Sequence, residues 1–436
     1  MKNKSKCISN GSYGKIYLID NNTVIKKSKK FISEKKYYVQ NIQEIIFLSL
    51  VKHKNIVNVN NIYLNNKINI ELEKGDMTLF EYINKTNKKL RMNNFKFIFF
   101  QLTQVLYFLH KNNFIHGDIK PNNIIINMKN MIIKLIDFGG ICSFRINDNH
   151  KPICTPTFCP PEGWPQLNIN HISTNFDVWS LAVTMYYYIN KEYLLDFKDD
   201  RTIDYINEFK PKMKLQKHYH HDIDKIKNTI DASSFNIMKK MLMYDPDDRI
   251  TIDELYYDSL FFEYEKDIIQ KIKYVSEFDA SFMSNYKNNE WTQRNKLIEW
   301  LYLYCKNNNV LNYFVLAIWI IDKYLNIKKI KISSKKIKLY AGAGLIITSI
   351  VLADKIINCD DIIQYLPKYV KSNNLIALVD DIMVQLKFQL YIHTFDYIIK
   401  DKKVNINYDD IRVFVSKKKY VGLDHYFLAD LFIDSI

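Results

Sequence analysis

Three polar side chains stand close together in the segment FIHGDIKPNNIIIN, which runs from residue 114 to residue 127. Asp118 could accept the proton of a substrate hydroxyl, Lys120 could neutralise charge on a transferred phosphoryl group, and Asn123 could bind Mg²⁺. Past two strand-like runs, Asp137 of the tripeptide DFG could bind the same ion. Phosphoryl transfer depends on positioning and charge neutralisation more than on covalent chemistry, so these residue types fit that reaction.

A glycine-rich turn and a lysine–glutamate pair precede this segment. In SNGSYGKIY, Gly11 and Gly14 stand between strand-like runs, where the missing Cβ lets backbone N–H groups approach phosphates. Lys26 of TVIKK lies on the next predicted strand, and Glu44 of NIQEIIFL lies in a predicted helix. A strand lysine tied to a helix glutamate can hold the α- and β-phosphates of a nucleotide. Each signal alone is weak, but their order indicates a nucleotide-dependent phosphotransferase.

In this order and spacing the motifs resemble a eukaryotic-type protein kinase, over residues 8 to about 262. TPTFCPPE resembles the motif that closes the activation segment, and the resemblance implies that Glu162 pairs with Arg249 of DPDDRIT. By the same resemblance, Lys120 and Thr155 favour serine and threonine substrates over tyrosine. The implied cofactor is Mg-ATP, with metal ligands from Asn123 and Asp137. The residues expected to contact ATP are Ile8, Gly11, Gly14, Ile16, Lys26 and Glu44.

The glycine-rich turn is most similar to that of cyclin-dependent kinases. NGSYGKIY places Ser12 and Tyr13 on the inhibitory phosphorylation sites of that group, where a phosphate would add negative charge beside ATP. The stretch NIQEIIFLSLVKHKNIV follows the cyclin-reading helix of the group without a gap, with Ile42 on its isoleucine. The resemblance therefore predicts a kinase that is regulated by a cyclin.

The chain departs from this group where an activation-loop phosphate would bind. The three arginines that grip the phosphate in the family correspond to Gln43, Gly117 and Cys142. A phosphate needs such charge-assisted donors to order a loop, so we expect that activation does not use a phosphorylated loop. Ser9 replaces the first glycine of the turn. Cys159 replaces the arginine associated with proline-directed substrates, so the resemblance does not predict that preference.

The C-terminal part resembles a single cyclin box over residues 291–400. QRNKLIEWL places Arg294, Glu299 and Trp300 on the arginine, aspartate and tryptophan that open a cyclin box, and LAIWIIDKYLN places Asp322 on a later aspartate. The small residues of KIKLYAGAGLIITS predict a buried helix in a helical bundle. The family's gripping lysine and glutamate fall near Ile350 and Val379, which are apolar. These replacements predict either a hydrophobic interface or another mode of docking.

We therefore expect a kinase fused to its own activator. Tethering makes the second binding event intramolecular, at an effective concentration of about mM for a short linker. An attached cyclin-like domain could hold the helix of Glu44 inward so that Lys26 and Glu44 meet, in cis or between two chains. The alternatives are a pseudokinase scaffold, a cyclin-like adaptor that recruits another kinase, and a C-terminal helical domain unrelated to cyclins.

The composition and charge of the chain restrict the kinds of protein and of binding site that it could contain. The chain has 436 residues, 47% hydrophobic and 25% charged, which is typical of a globular protein with two or three domains. The net charge of +15 is spread along the chain, so we expect no dedicated nucleic-acid site. The resemblance to protein kinases implies protein substrates. The six cysteines lack paired spacing, which predicts reduced thiols. The cluster HYHH, residues 218–221, has no second group of ligands and is expected to be a solvated loop.

The sequence also predicts the cellular location, the fold class and the domain bounds of the protein. MKNKSKCISN lacks the apolar core of a secretory signal, so we expect a cytoplasmic or nuclear protein without a membrane span. A compact kinase–cyclin fusion rich in Lys, Asn and Ile, as from an AT-rich coding sequence, would suit a large DNA virus or a protist. The apolar run at residues 339–353 is short for a span and predicts a core helix. The predicted fold class is α+β: a bilobal kinase fold with a small β-rich N-lobe and a helical C-lobe, followed by an all-α cyclin-like bundle. The predicted domains are a kinase domain at 1–262, a linker at 263–290, a cyclin-box-like domain at 291–400 and a C-terminal extension at 401–436.

Overall fold

A computed structural model describes most of the chain. The described residues are 7–10, 14–28, 35–64, 68–143, 154–163, 173–194, 223–264, 283, 286–352, 355–368, 370–390 and 408–416. The chain divides into two compact units. The first comprises residues 1–30, 51–63 and 67–272, and the second comprises residues 31–50, 64–66 and 273–436.

The first unit begins with an antiparallel sheet that carries Lys26. Its strands follow the spatial order β1-β2-β3-β5-β4, and residue 26 lies opposite Ile16 on one side and Ile70 on the other. The alternating burial of β3 and β5 explains why these segments form strands, since one face of each is covered. The strands are β1 Cys7–Asn10, β2 Gly14–Leu18, β3 Thr23–Ser28, β4 Val59–Leu64 and β5 Ile68–Glu73.

Helices and two small sheets follow in the described part of the first unit. A capping box of Thr78 and Glu81 starts α2, and Asn87 caps α3, whose long apolar face is buried. The small sheets have the orders β6-β8-β9 and β10-β7. The strands are β6 Met77–Thr78, β7 Phe114–Ile115, β8 Ile124–Asn127, β9 Ile132–Leu135 and β10 Cys142–Ser143, and the helices are α2 Leu79–Lys85, α3 Lys88–Lys111, α4 Asn175–Asn190, α5 Ala232–Met241 and α6 Ile252–Tyr256.

The second unit is a helical bundle around one small-residue helix, α9. Ala341 and Ala343 are buried there, and a Cβ on Gly344 would lie 2.7 Å from the Ile321 side chain of α8, so glycine permits the close approach of α8 and α9. The prediction that this apolar run forms a core helix is confirmed. The later helices are α7 Asn288–Asn307, α8 Phe314–Lys328, α9 Ile337–Leu352, α10 Cys359–Ile363, α11 Ser372–Gln385 and α12 Tyr408–Val415.

Helix α1, Lys35–Leu50, belongs to the second unit, although the predicted domains place it in the kinase domain. Between residues 42 and 48 all apolar side chains of the helix are buried. They are too many to lie on one narrow face of a helix. Such a helix requires cover on several faces, and α9 supplies part of it. The segment that resembles a cyclin-reading helix is therefore integrated with the cyclin-like helices of the same chain.

Candidate active site

A buried carboxylate holds in place the segment of residues 116–123, which we call the catalytic loop. Asp177, at the start of α4, is fully buried and accepts hydrogen bonds from the backbone N–H groups of His116 at 2.8 Å and Gly117 at 2.9 Å. Its Oδ2 also lies 3.0 Å from Nε2 of His110, on α3. Three polar groups around one buried carboxylate stabilise the charge and fix the loop between α3 and α4.

Gly117, where the family has an arginine, has a left-handed backbone. Its φ is 82°, a conformation that glycine adopts without the steric penalty of a Cβ. The backbone N–H of Gly117 donates to Asp177, so the path of the loop backbone itself requires this conformation. Glycine at position 117 therefore suits the left-handed backbone there. It also agrees with the lack of the arginine that binds an activation-loop phosphate in the family.

Asp118 is the centre of a hydrogen-bonded cluster. Its Oδ1 accepts hydrogen bonds from the hydroxyl of Thr155 at 2.7 Å and from the backbone N–H of Thr155 at 3.0 Å. Its Oδ2 accepts hydrogen bonds from Nζ of Lys120 at 2.6 Å and from Nδ2 of Asn123 at 2.9 Å. A carboxylate held from both sides has a fixed orientation, as a general base for a hydroxyl requires.

Lys120 joins the catalytic loop to the activation segment. Its ammonium also donates to Oγ1 of Thr155 at 2.6 Å, so one cation bridges a loop residue and a residue far along the chain. The side chains of Lys120 and Asp118 keep 21% and 14% of their surface exposed, which leaves the pair accessible to an incoming group. The sequence predicted each residue, and the structure brings them together.

Lys26 and Asp137 form a direct ion pair in the first unit. Nζ of Lys26 lies 2.7 Å from Oδ1 of Asp137, whose side chain remains 27% exposed. Burial raises the pKa of Asp137, but the nearby Lys26 ammonium and its hydrogen bond outweigh burial, so the pKa lies below its ordinary value. Asp137 also has a left-handed backbone, with φ of 63°, which is uncommon outside glycine and concentrates at functional sites.

The donor set fits a magnesium ion with phosphate ligands. Asn123 uses its amide nitrogen on Asp118, so its amide oxygen is the atom that could bind a metal. Together with the carboxylate of Asp137, this supplies the hard oxygen donors that Mg²⁺ takes in small number beside phosphate oxygens. Among the described residues, no group of three or more His, Cys, Asp and Glu side chains could hold a metal by itself.

The remaining predicted nucleotide contacts lie in several places. A Cβ on Gly14 would lie 2.5 Å from the carbonyl oxygen of Lys27, so the structure gives this glycine a packing reason between β2 and β3. Ile16 lies on β2, and Ile8, on β1, is 47% exposed. Glu44 is buried on α1, in the second unit. Gly11, Ser12 and Tyr13 lie outside the described residues, as does the cluster HYHH.

The activation segment ends in a buried ion pair. Nη2 of Arg249 donates to Oε2 of Glu162 at 2.7 Å, Nη1 donates to Oε1, and both side chains are inaccessible to solvent. Backbone carbonyls of Met243, Asn175 and Tyr244 accept its other hydrogen bonds. The resemblance implied this pairing, and the structure contains it.

A disulfide contradicts the prediction of reduced thiols. Cys154 and Cys159 are bonded to each other, with a Cα–Cα distance of 5.5 Å. Spacing such as C-x-x-C was the wrong criterion, because the 3₁₀ turn Pro156–Phe158 brings together two cysteines five positions apart. The sequence signal that could have indicated the pair is the turn-forming Pro156 between them.

In the second unit, α1 is tied to the cyclin-like helices by two side chains. Nε2 of Gln43 donates to the carbonyl oxygen of Ile350 at 3.4 Å. The single hydroxyl proton of Ser49 is shared between two carbonyl oxygens, that of Ile46 in its own helix at 2.8 Å and that of Phe388 at 3.2 Å. Ile350 is buried, as is Val379, the other position where the family has a charged gripping residue. Sequence reasoning missed both hydrogen bonds because the acceptors are backbone carbonyls, which no side-chain pattern reports.

A second buried ion pair lies in this unit. Nε of Arg294, on α7, donates to Oδ1 of Asp322 at 3.0 Å, and Nη2 donates to Oδ2 at 2.6 Å. Nη1 donates to the carbonyl oxygen of Val415 at 3.2 Å, so the same guanidinium holds α12. The sequence comparison with a cyclin box singled out both residues but did not pair them.

Comparison with known families agrees with the geometry. The model of the protein kinase domain matches residues 3–261. The chain belongs to the protein kinase family. The model of the cyclin N-terminal domain matches residues 266–391, so a kinase domain is followed by a cyclin domain. The predicted fold class and the predicted kinase–cyclin fusion are confirmed, and an unrelated helical domain is ruled out.

Several curated relatives are named as serine/threonine kinases. "Probable serine/threonine-protein kinase fhkD" of Dictyostelium discoideum is 29% identical over 240 residues, 51% of this chain. A putative serine/threonine-protein kinase of Acanthamoeba polyphaga mimivirus is 28% identical over 276 residues, 57% of this chain. The carbon catabolite-derepressing protein kinase of Candida glabrata is 26% identical over 265 residues, 59% of this chain. These names support the predicted enzyme class, a serine/threonine protein kinase.

Coverage of these relatives differs. The matched region spans 31% of the Dictyostelium protein and 40% of the Candida protein, but 90% of the viral protein. In the part of the chain that the structure describes, no helix combines the length and apolar character needed to span a membrane.

Proposed function

We propose that this protein transfers the γ-phosphoryl group of Mg-ATP to serine and threonine hydroxyls of proteins. The observation that carries this proposal is the Asp118 cluster. One carboxylate oxygen is held by Thr155, and the other is held by Lys120 and Asn123. This arrangement orients a base and a cation toward one point, as transfer to a hydroxyl requires.

Each residue has a distinct task in this proposal. Asp118 orients the substrate hydroxyl and receives its proton, while Lys120 neutralises charge on the transferred group. Asn123 and Asp137 hold the metal through oxygen atoms, and Lys26 stabilises the phosphates. Mg-ATP, when bound, supplies the phosphoryl group and the divalent positive charge.

We also propose that the cyclin domain is a built-in activator that acts on α1. Support comes from the hydrogen bonds of Gln43 and Ser49 to backbone carbonyls of the second unit, and from the burial of Ile42. In this proposal the second unit fixes the orientation of α1, the helix that carries Glu44. Gln43 stands where the family has a phosphate-gripping arginine, and its amide is committed to α9 instead.

The phosphotransfer proposal is tested with the full chain, produced without other kinases. The assay measures transfer of labelled phosphate from ATP to a generic basic protein and to serine, threonine and tyrosine peptides. We expect Asp118→Asn to lower kcat by about 10²–10⁴, the usual effect of a positioned acid–base group. Asp247→Asn, an exposed carboxylate of the same unit, is the matched control and should leave kcat unchanged.

A wild-type chain as inactive as Asp118→Asn would contradict phosphotransfer and favour a pseudokinase scaffold. Binding of Mg-ATP without turnover would favour the scaffold as well. Activity on tyrosine peptides alone would contradict the substrate class while leaving the reaction intact.

The activator proposal is tested with Gln43→Ala in the full chain. Loss of the hydrogen bond to Ile350 should lower kcat several-fold without lowering the affinity of the chain for ADP. Gln364→Ala, an exposed glutamine of the same unit whose side chain bonds within its own turn, is the control. Equal activity of Gln43→Ala and wild type, with equal stability, would argue that the cyclin domain selects partners instead.

A further inference from the structure

The disulfide Cys154–Cys159 closes a short loop around Thr155. The two cysteines are five positions apart, and the 3₁₀ turn Pro156–Phe158 lies between them. Thr155 is therefore the first residue inside a covalent ring. It is also the residue that donates both its hydroxyl and its backbone N–H to Asp118.

The Cys159 end of the ring is anchored in the core of the first unit. Cys159 is 2% exposed, and its sulfur would lie 2.5 Å from a Cβ on Gly163, so it packs directly against the end of the activation segment. The carbonyl of the neighbouring Phe158 accepts a hydrogen bond from Oγ of Ser180 at 2.9 Å. Noncovalent packing and this hydrogen bond thus hold the Cys159 end in addition to the disulfide.

The Cys154 end has a different character. Cys154 is half-buried, so it is the more accessible member of the pair. It is the chain neighbour of Thr155, and the disulfide links it to the anchored end. The covalent bond thus transmits the fixed position of Cys159 to the backbone that carries Thr155.

The three positions that correspond to phosphate-gripping arginines carry no cation in this chain. Gly117 has no side chain to grip a phosphate, and Cys142 offers only a thiol. The third, Gln43, donates to the carbonyl of Ile350. A phosphate on the activation segment would therefore meet none of these three charged donors, which order such a segment by charge-assisted hydrogen bonds.

We propose that Cys154 and Cys159 form a redox modification site that locks Thr155 against Asp118, in place of a phosphate. The inference rests on the proposed phosphotransfer. When the disulfide is present, Thr155 is held in its catalytic position. When it is reduced, the Cys154 side of the ring gains freedom, and the Asp118 carboxylate loses a positioned partner.

The exchange partner is a low-molecular-weight disulfide of the glutathione class. The Cys154 thiolate attacks one sulfur of that disulfide, which breaks its S–S bond and releases one small thiol. The Cys159 thiolate then attacks the Cys154 sulfur of the mixed disulfide and releases the second small thiol. Two electrons pass from the cysteines to the external disulfide, and the two cysteine protons end on the released thiols. Two molecules of the small thiol reverse both steps and regenerate the external disulfide.

The experiment equilibrates the full chain in buffers of reduced and oxidised glutathione at set ratios. Differential alkylation and mass spectrometry give the fraction of Cys154–Cys159 disulfide, and phosphotransfer gives kcat and KM for the same samples. We expect kcat to fall about 10-fold on reduction, in step with the disulfide fraction, because misplacement of a supporting group costs about that much or more. The KM for ATP should change little.

Two variants make the result specific. Cys154→Ser, at the half-buried end, should show the kcat of the reduced protein at every glutathione ratio. Cys359→Ser, in the second unit, should keep the full redox response. If the protein is active and the disulfide forms and breaks without a change in kcat, the proposal is overturned. It is also overturned if the disulfide never forms across the glutathione range.

A structural readout separates this proposal from the proposed activity. Amide hydrogen exchange of Thr155, Thr157 and Phe158 should be slower in the oxidised protein than in the reduced protein or in Cys154→Ser. If the chain proves inactive in both states while exchange responds to the disulfide, phosphotransfer fails and the lock stands. Equal exchange in both states would overturn the lock, whatever the activity.

Discussion

Two buried arginine–carboxylate pairs, one in each unit, show how the same chemistry serves different ends. The Glu162–Arg249 pair lies at the end of the activation segment, and the Arg294–Asp322 pair joins helices of the cyclin domain. Both are bidentate and almost inaccessible, so each should contribute stability only while intact. The first lies next to the disulfide ring that carries Thr155, whereas the second lies in the bundle that holds α1. Loss of either should therefore cost similar stability but different amounts of activity.

The largest effect is expected from Arg249→Leu. It leaves Glu162 buried without its partner, which should lower the free energy of unfolding by about 3–5 kcal/mol and abolish kcat at physiological temperature. Denaturant unfolding followed by tryptophan fluorescence measures the loss, because Trp179 packs 4.9 Å from the guanidinium. The double variant Glu162→Leu/Arg249→Leu is the control and should recover part of the stability. A single variant as stable as wild type would refute the role of the pair.

Arg294→Leu should lower stability by about 3 kcal/mol, since it breaks contacts to Asp322 and to the carbonyl of Val415. Hydrogen exchange should increase first in α7, α8 and α12, with α4 unchanged. If the Arg294–Asp322 pair affects activity only through stability, Arg294→Leu should keep measurable kcat at low temperature, whereas Arg249→Leu should not. Equal kcat losses for both variants, at equal fractions folded, would show that the two ion pairs do not differ in their effect on activity.

Lys323, in the second unit, differs from the two paired arginines, because it is a buried cation that forms no ion pair with the described carboxylates. Within the described part of the chain its ammonium finds no hydrogen-bond acceptor, and it packs 4.5 Å over the ring of Trp319. Burial disfavours the charged form and lowers the pKa of Lys323 to about 8 from an ordinary value of 10.5. Since the unfolded chain then binds more protons between these two pH values, this group makes stability rise as the pH increases from about 8 to 10.5.

Lys323→Met should therefore raise stability at pH 7 by about 2 kcal/mol and remove this pH dependence. Thermal or denaturant unfolding at pH 7 and pH 10 measures both changes. Lys338→Met, an exposed lysine of α9, is the matched control and should show neither. A destabilised Lys323→Met would mean that the cation–π contact with Trp319 outweighs the cost of burying the charge.

The smallest effect is expected at Gly117. Gly117→Ala should lower stability by about 1 kcal/mol, because alanine pays the steric penalty of a left-handed backbone. Gly117→Asn should cost less, since asparagine tolerates that conformation. Comparison of the two unfolding midpoints tests the conformational reason directly. Equal destabilisation would point to crowding by the added side chain instead.

Much of the candidate site could be predicted because its residues are close along the chain. Asp118, Lys120 and Asn123 lie within one short loop, and their spacing already limits how they can point. The strand of Lys26 and the helix of Glu44 follow from local apolar patterns. Two features depend on tertiary packing and could not be predicted from these patterns. They are the place of α1 in the second unit and the hydrogen bond from Gln43 to Ile350.

Local sequence was sufficient to define the family, the order of the two domains, the residue types of the catalytic loop and the small-residue helix α9. These features depend on neighbours along the chain, whose spacing sets which side chains share a face or a loop. The hydrogen bonds of Thr155 to Asp118 and of Gln43 to Ile350 emerged only from the folded arrangement. Such contacts depend on how turns and helices that are distant in sequence pack together, and no local pattern encodes those distances.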